Sequence, residues 1–200
     1  MDHLTDAERE PRLQRVFAAC VQGMIDVLSE PARGKAKKAY CYCNLCGSSA
    51  LFGGFYITNE EHAVLTPVFL AAQGMEIADA DDLQATIVSL LERLRGGFLD
   101  YADDVPGELY IDFDIDTGVP HCLVVREKFP QLYDANLHYI SWAREFGAVT
   151  PDLPPRDRSL SGALKRKLFG KARTEEPVHT TENAEELDLS WFGAVEAGNE

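Results

Sequence analysis

Two short stretches of this chain carry side chains that could do chemistry. In residues 109–125, LYIDFDIDTGVPHCLVV, Asp112, Asp114 and Asp116 recur at every second position just before a Thr-Gly turn. Carboxylates on one strand face, about 7 Å apart, could hold a divalent cation or act in general acid–base steps. In residues 41–46, CYCNLC, three potential thiolates lie within one short run, the residue type that binds zinc.

Neither stretch completes a known constellation. A calcium loop starting at Asp112 needs glycine at its sixth position and glutamate at its twelfth, where this chain has Thr117 and Leu123. A phosphatase-type Asp-x-Asp pair should end the first strand of a parallel sheet, whereas this one sits in a hairpin late in the domain. A metal-dependent hydrolase built on the three aspartates therefore stays only as an alternative. CxCxxC is short of a full zinc set, and no second Cys/His cluster follows, so structural thiols are the favoured reading of Cys41, Cys43 and Cys46, with metal binding left open. His121 and Cys122 are neighbours on a strand and point to opposite faces. Ser48 and Ser49 lack the glycines of a nucleophile elbow, and GALKRKLFGK lacks phosphate-loop spacing. With no acid, base and oxyanion donor assembled, the expectation is a non-enzyme with no cofactor and no bound metal.

The elements that position these residues follow from periodicity. Thr5-x-x-Glu8 is a capping box for a helix whose apolar stripe is Leu13, Val16, Phe17, Cys20, Met24, Val27 and Leu28, ending near Pro31 and Gly34. Cys20 lies on that stripe as a small hydrophobe. Strand-like runs at 37–46, 51–58 and 62–70 with short connections predict an antiparallel meander, its third run at an edge or broken by Pro67. Residues 79–82 offer N-caps for a second helix striped by Leu83, Ile87, Leu90, Leu91 and Leu94 and closed by Gly96-Gly97. Leu109, Ile111, Phe113 and Ile115 alternate with Tyr110, Asp112, Asp114 and Asp116, the signature of a half-buried strand, which returns over 119–126. An aromatic helix over about 131–146 closes the domain. The fold class expected is α+β: an antiparallel sheet of about five strands packed with N-terminal, central and C-terminal helices.

The 200 residues suffice for one domain, read as 1–150, followed by a charged tail over 151–200 that is partly helical or disordered. The tail has a basic block with a short helix around Leu160, Leu164 and Leu168. An acidic block follows, in which Leu187, Leu189, Trp191 and Phe192 could dock on the domain or on another protein. No signal peptide or membrane span is expected, and the odd set of five cysteines suits reduced thiols, which together predict a cytoplasmic protein. The formal charge is −14, and residues 39–125 hold two arginines against fourteen acids. Such a field repels nucleic acid and anionic lipid, and it serves either as a solubilising surface or to steer a basic partner into contact.

Taken together, the element order, the ELYIDFDIDTG hairpin with Ile111, Phe113, Asp114 and Gly118, and YISWAREFG with Trp142 ahead of a glycine resemble the YezG-like bacterial immunity (antitoxin) proteins. The resemblance spans residues 13–147; the cysteine-rich strand and the long tail depart from it. It implies a protein that binds and neutralises a cognate secreted toxin, such as a nuclease, in competition between bacteria. On this reading the contact face is Asp112, Asp114, Asp116 and Tyr110 with Glu60, Glu61, Asp103 and Asp104. An adaptor or chaperone for a secreted effector is the alternative; the oligomeric state is left open.

Overall fold

The computed structural model describes residues 5–129, 131–150 and 184–192. Its order is α1 (Asp6–Ser29), a 3₁₀ turn (Glu30–Ala32), β1 (Ala36–Asn44), β2 (Leu51–Thr58), β3 (Ala63–Leu65), α2 (Thr66–Ala72), α3 (Ile77–Tyr101), β4 (Glu108–Asp114), β5 (Pro120–Val125), α4 (Leu132–Glu145) and β6 (Glu185–Glu186). The strands form one antiparallel sheet in the order β3-β2-β1-β4-β5-β6. The fold is α+β, as expected. Among the described residues, no helix is long and apolar enough to cross a membrane.

Pleating sends alternate residues to opposite faces, and here both faces are covered. Ala39, Cys41 and Cys43 of β1 and Leu109, Ile111 and Phe113 of β4 pack beneath α1 and α3, against Phe17, Met24, Leu28, Ile87, Leu91 and Leu94. Tyr40, Tyr42, Phe55 and Tyr110 face the other way, onto Ala135, Trp142 and Ala143 of α4. The Trp142 ring meets Tyr40, Phe55 and Tyr110 edge-on at 4.9–5.6 Å, a favoured aromatic arrangement. The central strand therefore shows no polar alternation: residues 39–44 are all buried.

Helix starts and stops depart from the sequence reading in three places. The capping box forms, with the Glu8 carboxylate accepting the Thr5 N–H at 2.9 Å. The third run, however, stays extended only through Leu65; it is an edge strand, and Pro67 opens α2, where its missing N–H costs nothing. Helix α3 starts at Ile77 with Glu76 as its N-cap, so Asp79, Asp81 and Asp82 lie inside the helix rather than capping it. Gly74, at φ 80°, turns the chain at the end of α2.

Nor do Gly96 and Gly97 end α3, which continues to Tyr101. The two glycines do different things. A Cβ on Gly97 would sit 2.7 Å from Val16 Cγ1, so its hydrogen lets α3 approach α1; a Cβ on Gly96 would meet nothing within 4 Å. Gly96→Ala should therefore stabilise the protein by about 0.5–1 kcal/mol through helix propensity. Gly97→Ala should destabilise it by about 1–3 kcal/mol through overpacking. Urea unfolding of the two variants should show midpoint shifts of opposite sign; shifts of the same sign would refute this assignment of roles.

The sheet also extends past residue 150. Residues 184–192 return to the domain: β6 pairs with β5 (Leu123 with Glu186, Val124 with Glu185), and Leu187 N–H donates to Cys122 O at 2.9 Å. Trp191 meets Phe17 at 5.9 Å, and Phe192 is buried in the α1–α3 cluster. The apolar residues of the acidic block thus cover the domain's own surface. The basic helix expected around Leu160 lies outside the described residues.

Candidate binding surface

The three hairpin aspartates have three different roles. Asp112 is held between strands: its Oδ2 faces Lys38 Nζ at 3.3 Å and its Oδ1 bonds His121 Nδ1 at 2.9 Å. His121 Nε2 lies 3.5 Å from Glu186 Oε1, so one carboxylate and one imidazole link β1, β4, β5 and β6. Asp114 builds the turn. Its Oδ1 accepts from Thr117 N–H at 2.9 Å, Asp116 N–H at 3.0 Å and the Thr117 hydroxyl at 3.2 Å, while Gly118 takes φ 66°. Asp116 is exposed. Two of the three carboxylates are thus occupied by internal contacts, and a cation would have to displace Lys38 and His121. Among the described residues, no three His, Cys, Asp or Glu side chains are grouped as metal ligands.

The remaining residues read from the sequence fall in separate places. Tyr110 is 1% exposed, its ring against Trp142, and cannot touch a partner. Glu61 pairs with Lys37 at 2.9 Å beside exposed Glu60, at the hairpin end of the sheet. Asp103 and Asp104 precede β4, at its opposite end, and pair with Arg9 at 3.5 Å and Lys128 at 2.6 Å. Seven strand residues, roughly 20 Å, separate the two groups. The eight residues do not form one face.

These partners leave a titration signature. The Thr117 N–H, followed by the Asp116 N–H and the Thr117 hydroxyl, holds Asp114 below its ordinary pKa; Lys37 does the same to Glu61, and Lys128 to Asp104. Carboxyls depressed by folding add stability that is fully present above their unfolded pKa of about 4, and that stability is lost as pH falls through the lower folded values. Urea midpoints should be flat from pH 7 to 5 and should drop between about pH 4 and 2. A midpoint that rose on acidification would contradict the sign.

A group of acids without cation partners lies at a third place. Glu76, Asp79, Asp81 and Asp82, at the start of α3, are exposed, and among the described residues no Lys, Arg or His pairs with them. Read from the sequence, Asp79, Asp81 and Asp82 count toward the acidic field but serve as N-caps, and so are not among the contact residues expected there.

The cysteines are packed in the core. Cys41 and Cys122 flank Ile111 across neighbouring strands, and Cys20, Cys41, Cys43 and Cys122 are all buried. Burial raises each of these thiols, Cys122 up to about 12, which disfavours the reactive thiolate. Cys46 is half-buried, with Sγ 3.3 Å from Asn44 Oδ1.

One polar centre was not recognised from sequence. Glu108, at the start of β4, is 0% exposed. Its Oε1 accepts from the Tyr42 hydroxyl at 2.5 Å and bonds His138 Nδ1 at 2.7 Å, with Asn44 Nδ2 at 3.5 Å; its Oε2 accepts from the Tyr110 hydroxyl at 3.0 Å. Desolvation, then the neighbouring Glu108 carboxyl, pushes Tyr42 well above the usual phenol range, so it keeps its proton and donates. Asn44 also donates to Phe129 O at 3.0 Å, tying the segment before α4 into the same centre. The cluster fastens α4 to the sheet.

This geometry defines an antiparallel α+β protein with a two-sided sheet and an acidic surface at one helix start. Comparison of the sequence with known protein families and with curated proteins finds no match.

Proposed function

We propose that this chain is an immunity protein that binds and neutralises a cognate secreted toxin with a basic surface, acting in the cytoplasm of the producing cell. The observation that supports the reading is the set of exposed, unneutralised carboxylates at the start of α3, on a chain of net charge −14. A surface of one sign accelerates encounter with a partner of the other sign by roughly 10–10³-fold, and packed aromatic or arginine contacts then set the lifetime of the complex. The contact face proposed here centres on Asp79, Asp81 and Asp82, with Glu60 and Asp116 as outlying charges. Asp112 and Asp114 serve the fold instead.

The test uses tagged full-length protein to capture partners from the native host, followed by an assay of the captured protein's toxicity or nuclease activity with and without stoichiometric added chain. Loss of that activity is the expected result. A captured client whose activity is untouched would move the reading to an adaptor. With the partner in hand, reversing Asp79, Asp81 and Asp82 to lysine should slow association about tenfold or more at low salt. The gap should close toward 1 M salt, where the screening length is about 3 Å. Equal association rates at low salt would remove the α3 start from the interface.

A further inference from the structure

Beside this acidic surface lies a cavity of about 160 Å³ between β2, α2, the start of α3 and α4. Its origin is local. Strand β3 pairs only with Phe55, Tyr56 and Ile57, so residues 51–54 of β2 have no strand beyond them among the described residues. Gly53 and Gly54 present no side chain there, and the Tyr139 ring fills part of the space, so close that a Cβ on Gly53 would lie 2.7 Å from it. The Tyr139 hydroxyl donates to Gly54 O at 2.7 Å, which fixes the ring as a wall. Phe52, Leu70 and Leu83 add apolar lining, and Thr66, Asp81 and Gln84 add polar side chains.

We propose that this cavity receives one arginine side chain of the protein partner. This rests on the immunity reading for the partner's identity. The volume is below the roughly 300–1,000 Å³ that drug-sized ligands occupy, and it suits a single long side chain. The wall chemistry selects which one. Aliphatic methylenes pack on Leu70 and Leu83, a planar guanidinium stacks on an aromatic face, and its fork of N–H groups meets a carboxylate with two bonds. Lysine brings a compact, strongly hydrated charge that neither stacks nor bonds in this bidentate way. Asp79 and Asp82, exposed on the same helix start, add to the field that draws the cation in.

The test is an NMR titration of ¹⁵N-labelled full-length protein with three blocked tripeptides: Gly-Arg-Gly, Gly-Lys-Gly and the neutral isostere Gly-citrulline-Gly. The arginine peptide should shift the Gly53, Gly54 and Gln84 amides saturably, and the other two should bind at least threefold more weakly. Asp81→Asn, at an exposed helix position, should weaken arginine binding by about threefold to fivefold, the size of an exposed ion pair. Equal binding of the citrulline peptide, shifts confined to other residues, or no saturable shift would overturn the proposal. The two readings fail separately. Saturable arginine binding by a chain that neutralises no captured protein sinks only the immunity reading, whereas neutralisation with no peptide binding sinks only the cavity's role.

Discussion

Replacing Glu108 with alanine should cost about 3–5 kcal/mol of folding stability. The carboxyl is 0% exposed and serves the Tyr42 and Tyr110 hydroxyls, the Asn44 amide and the His138 imidazole at once. Removing it takes the partner from the Tyr42 hydroxyl and the His138 imidazole in a place with little access to water, where each unsatisfied group costs about 1–3 kcal/mol before relaxation. Breaking a buried hydrogen-bonded pair from one side carries the same order of penalty. Against a typical total of about 5–15 kcal/mol, this would lower the urea midpoint by about 1 M or more. Glu108→Gln keeps the shape and one carbonyl acceptor and should lose only about 1–2 kcal/mol. An alanine variant within 1 kcal/mol of the parent would mean that the cluster does not secure α4, and that the aromatic packing of Trp142 does so alone.

This centre was hard to read in advance because one strand reads two ways. In β4 the residues Leu109, Ile111 and Phe113 alternate with Glu108, Tyr110, Asp112 and Asp114, which looks like one buried face and one wet face. The wet half is wet only at the hairpin end. Toward the start of the strand α4 covers it, and Glu108 and Tyr110 become core. Period-2 patterning gives the face of a residue but not where along the strand the cover stops. The usable signal lay in β1, where Tyr40 and Tyr42 on one face and Ala39, Cys41 and Cys43 on the other are all apolar or aromatic. A sheet centre with two apolar faces needs two layers, and the aromatic helix around Trp142 is the natural second one.

Much of the architecture was legible for the same reason that the site was not. The stripe of α1, the bounds of β2 and the turn at Asp116–Gly118 depend on local periodicity and turn chemistry, whereas α2 and β6 do not show in that periodicity. The contact surface depends on which carboxylates lack a cation, and Lys37, Lys38, Arg9 and Lys128 reach theirs across 24 to 94 residues of sequence. Counting acids along residues 39–125 therefore gives the sign of the field but does not show that Asp112 and Asp114 are held by internal contacts. The return of residues 184–192 to the edge of β5 is a contact of the same non-local kind. Its alternation of acids with Leu187, Leu189 and Trp191 showed that the block could dock, without showing where.

Gly107→Ala should be as damaging as the loss of Glu108, although it adds only a methyl group. Gly107 sits one residue before β4, where its N–H donates to Val125 O and its O accepts from Leu45 N–H, both at 2.9 Å. A Cβ there would lie 1.7 Å from Glu127 O, 2.7 Å from Glu127 C and 3.2 Å from Lys128 Cα. All three are backbone atoms, so no rotamer change can relieve the clash. Either the start of β4 withdraws, breaking hydrogen bonds to β5 and to the end of β1, or residues 126–128 move outward and carry the approach to α4 with them. Each route displaces Glu108 from its partners. Overpacking costs about 1–3 kcal/mol, and two lost hydrogen bonds add about 1 kcal/mol each, so a loss of about 3–5 kcal/mol is expected. Gly96→Ala, with open space around its Cβ, is the matched control for the residue change itself. In the same urea series, a Gly107→Ala midpoint at or above the parent's would show that the β5–α4 connection yields freely, and that the Glu108 cluster does not depend on its position.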